Sequence, residues 1–164
     1  MKVLLFLTSF FVVFFLETFF ASLGGLSVFI IFVLFFINKL DWKYIFLFSF
    51  LFSMALDVVN HSVLGTTLLI SGFSVLFFYF CGLFIPEQKG VLGIVSFLVS
   101  FLVFYILSYF LREFILLGSF PSFGVSIFVG ILVRSIISSI IVVVFDVMYD
   151  KVRGNKIDSK FTFR

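Results

Sequence analysis

Leu23-Gly24-Gly25-Leu26-Ser27-Val28-Phe29-Ile30-Ile31-Phe32-Val33-Leu34-Phe35-Phe36-Ile37 is the stretch on which the fold turns. It is apolar past its glycines, yet as a helix it rises only about 22 Å, short of a hydrocarbon core about 30 Å thick. Five other apolar runs flank it: Val3 to Ala21, Tyr44 to Val59, Leu64 to Ile85, Val91 to Leu111 and Gly124 to Tyr149. Counting the short run makes six spans, and it is expected to cross with little tilt, incompletely, or in a locally thinned bilayer. Charge supports counting it. With an even number of spans and the amino terminus inside, Lys2, Lys39, Lys43, Lys89, Lys151, Arg153, Lys156, Lys160 and Arg164 share the cytoplasmic side. Only Arg112 falls outside, and Arg134 lies within the last span. Basic residues are retained on the cytoplasmic side, and removing one span scrambles this asymmetry.

Composition says the same of the whole chain. Of its 164 residues 63% are hydrophobic and 12% charged, whereas soluble domains run about 45–50% apolar and about 25% charged, so lipid is the main solvent. The 31 Phe are read as bulk for lipid-facing positions, set by codon bias, and not as an aromatic binding box. One Cys and one His support neither an internal disulfide nor a metal cage. Asn38-Lys39-Leu40-Asp41, Asn60-His61-Ser62, Pro86-Glu87-Gln88-Lys89-Gly90 and Gly118 to Pro121 break the runs, and none is long enough for a second domain. The expected organisation is a transmembrane domain over 1–150 and a basic cytoplasmic tail over 151–164. The first run is longer than a signal-peptide core, contains Glu17 and lacks a small-x-small cleavage site, so it is expected to be retained.

Lipid does not explain Glu17, Asp57 and Arg134. An ionisable group at the centre of a span costs about 2.5–3.5 kcal/mol on insertion scales, so each calls for a partner or a wet cavity. Counting rise per residue puts both acids about 20 Å from the inner boundary and Arg134 near the midplane, within reach of either acid by snorkelling. The expectation is an ion pair of Arg134 with Glu17 or with Asp57. Helical spacing gathers Ser49, Ser53, Asp57 and His61 on one face, Thr67, Ser71, Ser74 and Cys81 on another, and Ser126, Gly130, Arg134 and Ser138 on a third. Such faces are expected to turn inward, either for close helix packing or to line a docking groove. Glu17, Asp57, His61 and Arg134 are therefore the candidate partner-binding or buried polar cluster. His61 carries no metal assignment, no nucleophile, base and orienter are arranged for catalysis, and the glycines form no nucleotide-binding pattern. A noncatalytic protein without a cofactor or a nucleic-acid partner is expected.

Leu16-Glu17-Thr18, the run Asp57-Val58-Val59-Asn60-His61-Ser62-Val63-Leu64-Gly65 and Arg134 together resemble MreD, the membrane subunit of the bacterial rod-shape machinery. In that family an acid in the third helix is followed at this spacing by a Leu-Gly opening the next, and an Arg begins the core of the last helix. Members commonly carry a Pro soon after that Arg and then an Asn, where this chain reads Ser135-Ile136-Ile137-Ser138-Ser139-Ile140. The resemblance implies an all-α membrane protein, a compact bundle of six transmembrane helices similar to the substrate-binding subunits of energy-coupling-factor transporters. It implies a scaffold in the bacterial inner membrane with both termini cytoplasmic, associated with an MreC-like protein and, through the peptidoglycan elongation complex, with MreB, RodA and its partner transpeptidase. Two rivals come from other classes. One is a vitamin-binding subunit of an energy-coupling-factor transporter. The other is an ion- or proton-coupled transporter with Glu17, Asp57 and Arg134 as a relay.

Overall fold

The computed structural model describes residues 2–37, 39–84, 91–119 and 121–152. Among them are six α-helices: α1 (Lys2–Gly24), α2 (Val28–Phe36), α3 (Trp42–Val59), α4 (Thr66–Phe84), α5 (Val91–Leu117) and α6 (Val125–Val152). Of these, α3, α4, α5 and α6 are long and apolar enough to cross a membrane. The break at Pro86 to Gly90 and the tail beyond Val152 lie outside the described residues. The chain divides into two compact units, Met1–Leu68 and Leu69–Arg164, with the division inside α4.

The first unit corrects the length of the second helix. Gly24 stays in α1, and it is Gly25, at φ 65°, that ends the helix by returning its amide to the Ala21 carbonyl at 3.1 Å. Helix α2 then has 9 residues instead of the expected 15, a rise of about 14 Å. It is apolar all round, and Phe29, Ile30, Ile31, Val33 and Leu34 are all buried, as a helix enclosed between others must be.

Ring contacts give the directions. Phe10 meets Phe48 at 6.0 Å and Phe14 meets Phe52 at 5.8 Å, so α1 and α3 run parallel. Phe29 stacks on Phe52 at 4.9 Å and Phe32 lies 4.7 Å from Phe48, so α2 runs against both. The chain thus reverses at α2, short as it is, and the starts of α1 and α3 lie at the same end. The same contacts correct the reading of Phe as lipid-facing bulk for part of the set, while Phe11, Phe15, Phe73 and Phe80 among others are exposed as that reading expects. Phe29, Phe48 and Phe52 are buried in an interlocking core, whereas Phe46 and Phe50 on the other face of α3 are exposed. Each such ring pair adds about 0.5–1.5 kcal/mol beyond the area it covers.

In the second unit α4, α5 and α6 form successive antiparallel pairs. Ser74 on α4 donates to the Ser100 carbonyl on α5 at 2.7 Å, and Phe78 stacks on Phe97 at 5.0 Å. Tyr105 on α5 and Ser138 on α6 share a buried hydrogen bond of 2.9 Å. Helix α5 runs six residues past the expected Leu111, carrying Arg112 and Glu113, until Gly118 at φ 67° caps it on the Phe114 carbonyl. Tyr109 ties the following loop to α5 through the Ser122 carbonyl at 3.1 Å. Helix α6 is unbroken from Val125 to Val152, with no Pro to kink it.

Candidate functional site

Glu17 sits two turns before the end of α1 and is 7% exposed. Its carboxylate accepts the Ser27 hydroxyl at 2.8 Å and the Phe29 amide at 2.7 Å. Ser27 is the N-cap residue of α2, but its hydroxyl does not cap its own helix. The first amides of a helix have no partner within it, and here an acid from the preceding helix serves one of them.

Asp57 repeats the device on α3 and is fully buried. It accepts from Gly65 N at 2.7 Å, Thr67 N at 3.1 Å, the Thr67 hydroxyl at 2.6 Å and the Ser62 hydroxyl at 3.0 Å. In both sites the acid takes the amide of the second residue of the next helix, Phe29 or Thr67. In both, a hydroxyl donor stands ten residues after the acid. A hydrogen bond to a charged group contributes about 1.5–3 kcal/mol, so two of them offset the cost of a carboxylate at this depth. Neither burial calls for an arginine.

The parallel register of α1 and α3 sets residue 14 beside residue 52, so Asp57 lies about 3 Å further along than Glu17. The two acids therefore stand at nearly one depth, each closing its own turn. The correspondence extends along the chain at a shift of 40 residues: Leu16 with Leu56, Glu17 with Asp57, Ser22 with Ser62, Gly25 with Gly65, Ser27 with Thr67 and Ile30 with Ile70. Gly25 and Gly65 both have positive φ, 65° and 94°. Sequence reasoning missed this repeat. Its signal was an acid followed by Gly eight residues on and a hydroxyl ten residues on, twice.

His61 belongs to the turn that Asp57 organises. The Ser62 amide reaches the Asp57 carbonyl at 2.9 Å and the His61 amide the Val58 carbonyl at 3.3 Å, the paired bonds of a Schellman ending. That ending places His61 in the left-handed region, at φ 51°, where glycine is usual. The imidazole is exposed.

Arg134 lies in the second unit, on α6, and is exposed as well. Of the four candidates only Glu17 and Asp57 are buried, so burial does not define the set. The serine faces divide likewise. Ser49, Ser53 and Asp57 on α3, and Thr67, Ser71 and Ser74 on α4, are buried as expected, but His61 and Cys81, placed on the same two faces, are not. On α6 the buried face is Ile131, Ser135, Ser138, Ser139 and Val142, rotated away from the expected Ser126, Gly130, Arg134 and Ser138 line, of which only Ser138 is buried. Ser135 and Ser139 donate to the carbonyls four residues back, as hydroxyls in lipid-embedded helices do. Among the described residues no group of three or more His, Cys, Asp and Glu is placed to hold a metal ion.

The chain matches no protein-family model, no curated protein and no solved structure.

Proposed function

We propose that the chain is a noncatalytic membrane scaffold of the bacterial cell-shape, or peptidoglycan elongation, complex, similar to MreD and binding an MreC-like single-span partner. In this reading it lies in the cytoplasmic membrane with both termini inside, in a six-span arrangement of the kind seen in energy-coupling-factor substrate-binding subunits. Support comes from the division of labour among the polar residues. Glu17 and Asp57 are spent on holding turns, and they leave His61 and Arg134 facing outward.

The observation that carries the proposal is the turn at His61. A non-glycine residue in the left-handed region costs about 1–2 kcal/mol, and such strain at an exposed position gathers at functional sites. Asp57 fixes that turn at one end of α3, where the juxtamembrane segment of a partner meets it. With little chain outside the membrane, binding relies on helix faces and short turns of this kind.

The test is copurification with an MreC-like single-span protein. His61→Asn keeps the left-handed backbone accessible and removes the imidazole, and Arg134→Gln removes the charge. Both are expected to lower recovery of the partner about tenfold while leaving the protein inserted. Unchanged recovery in both, with normal insertion, counts against the scaffold.

A further inference from the structure

Arg134 is nine residues into α6, about 14 Å from its first residue, in a helix whose 28 residues exceed the thickness of a bilayer core. Its side chain is exposed, and it makes no hydrogen bond or ion pair among the described residues. It stands at the rim of the face that α6 turns to α5: Ile131 and Ser138 on one flank are buried, Val133 and Ile137 on the other are exposed. One turn before it, a Cβ built on Gly130 meets nothing within 4 Å, and two turns before it Ser126 is exposed. A guanidinium at this depth is costly in lipid and attracts an anionic group, and the open glycine beside it admits a helix backbone at close range.

We propose that this face of α6 docks a membrane-spanning helix of another protein that carries a carboxylate at the depth of Arg134. Charge complementarity selects the occupant. The guanidinium offers five donors in a planar fork that matches a carboxylate, and within the hydrocarbon a competing headgroup phosphate lies at the far limit of its reach. The small residues on the amino-terminal side set where the partner passes closest, so its acid lies beside Arg134 and its contact runs toward Ser126. This inference rests on the scaffold reading only for the existence of a partner helix.

The probe is a 23-residue leucine-rich transmembrane peptide with one central Glu, and its Gln and Leu counterparts, in phosphatidylcholine vesicles. Association with the full chain is read by energy transfer from a fluorescent protein fused to the amino terminus. The Glu peptide is expected to associate about tenfold more tightly than the Leu peptide. That preference is expected to vanish in Arg134→Leu, to persist in Arg134→Lys, and to weaken severalfold in Gly130→Leu, which fills the open space without touching the charge. Circular dichroism of each variant confirms the helices. Equal association of the three peptides, or a Glu preference that survives Arg134→Leu or ignores Gly130→Leu, overturns the proposal. If the Glu peptide binds as expected while no MreC-like protein copurifies, the scaffold reading falls and this surface stands. If the partner copurifies but the peptides are not distinguished, the reverse holds.

Discussion

Thr67 donates its hydroxyl to Asp57 across 2.6 Å and offers its backbone amide to the same carboxylate at 3.1 Å. One residue at the start of α4 thus satisfies much of an acid buried at the end of α3. Because the acid accepts from Ser62 and Gly65 as well, its loss strands several donors at once. Asp57→Ala is expected to destabilise the protein by about 3–5 kcal/mol, each stranded buried donor costing about 1–3 kcal/mol with partial relaxation. Asp57→Asn keeps one acceptor oxygen but turns an NH2 toward donors, so it is expected to cost nearly as much. Reversible unfolding in mixed micelles measures both. A value for Asp57→Asn within 0.5 kcal/mol of wild type, roughly the effect of an ordinary surface substitution, contradicts the donor-only surroundings.

The Glu17 site has the same spacing. A double-mutant cycle of Glu17→Gln and Ser27→Ala is expected to return a coupling of about 0.5–1.5 kcal/mol, the worth of one charge-assisted bond in a membrane protein. Pairing Glu17→Gln with Thr67→Val, across the two sites, is expected to be additive within about 0.5 kcal/mol. Strong coupling across the sites is evidence of a shared network that the separate partners of the two acids do not suggest.

His61 and Gly65 carry the strained backbone of the α3–α4 turn. His61→Gly relieves a left-handed imidazole-bearing residue and is expected to raise stability by up to about 1 kcal/mol, while His61→Val lowers it by about 1–2 kcal/mol. Gly65→Ala meets no atom within 4 Å, so its expected cost of about 1–2 kcal/mol comes from φ 94° alone. Thermal denaturation in detergent ranks the three, and a stabilising Gly65→Ala contradicts the turn geometry.

The parallel course of α1 and α3 fixes sides. In a Cys81→Ser background, Lys39→Cys and Lys43→Cys are expected to react with a membrane-impermeant maleimide from the same side as a tag at the amino terminus, and His61→Cys from the other. Labelling of Lys43→Cys from the side opposite the amino-terminal tag contradicts the reversal at α2.

How much of this could be read from residues alone depends on what each signal reports. Long apolar runs broken by Asn-Lys and Asn-His chemistry place α3 and α4 well, because hydropathy senses the solvent that surrounds a segment, whereas α5 continues past Leu111 with Arg112 and Glu113 on it. The boundary of α2 was misjudged because Gly24-Gly25 marks an ending without saying which glycine is left-handed, and the answer moves two residues into α1. That Glu17 and Asp57 stand at nearly one level is legible from rise per residue. Their partners are not, since seeking a cation for each anion overlooks the amides that every helix leaves bare at its start. The inward face of α6 was misassigned because Ser126, Gly130 and Arg134 share a line with Ser138, and a nearly uniform apolar helix does not announce which neighbour it packs on.

The two acid-capped turns bear on how the chain enters the bilayer during synthesis. Glu17 gains the Ser27 and Phe29 donors, and Asp57 completes its set with Thr67, only once the start of the next helix has left the ribosome. A buried carboxylate that still lacks these donors resists partition into lipid, so each of the two helices enters the bilayer more readily together with the turn that follows it.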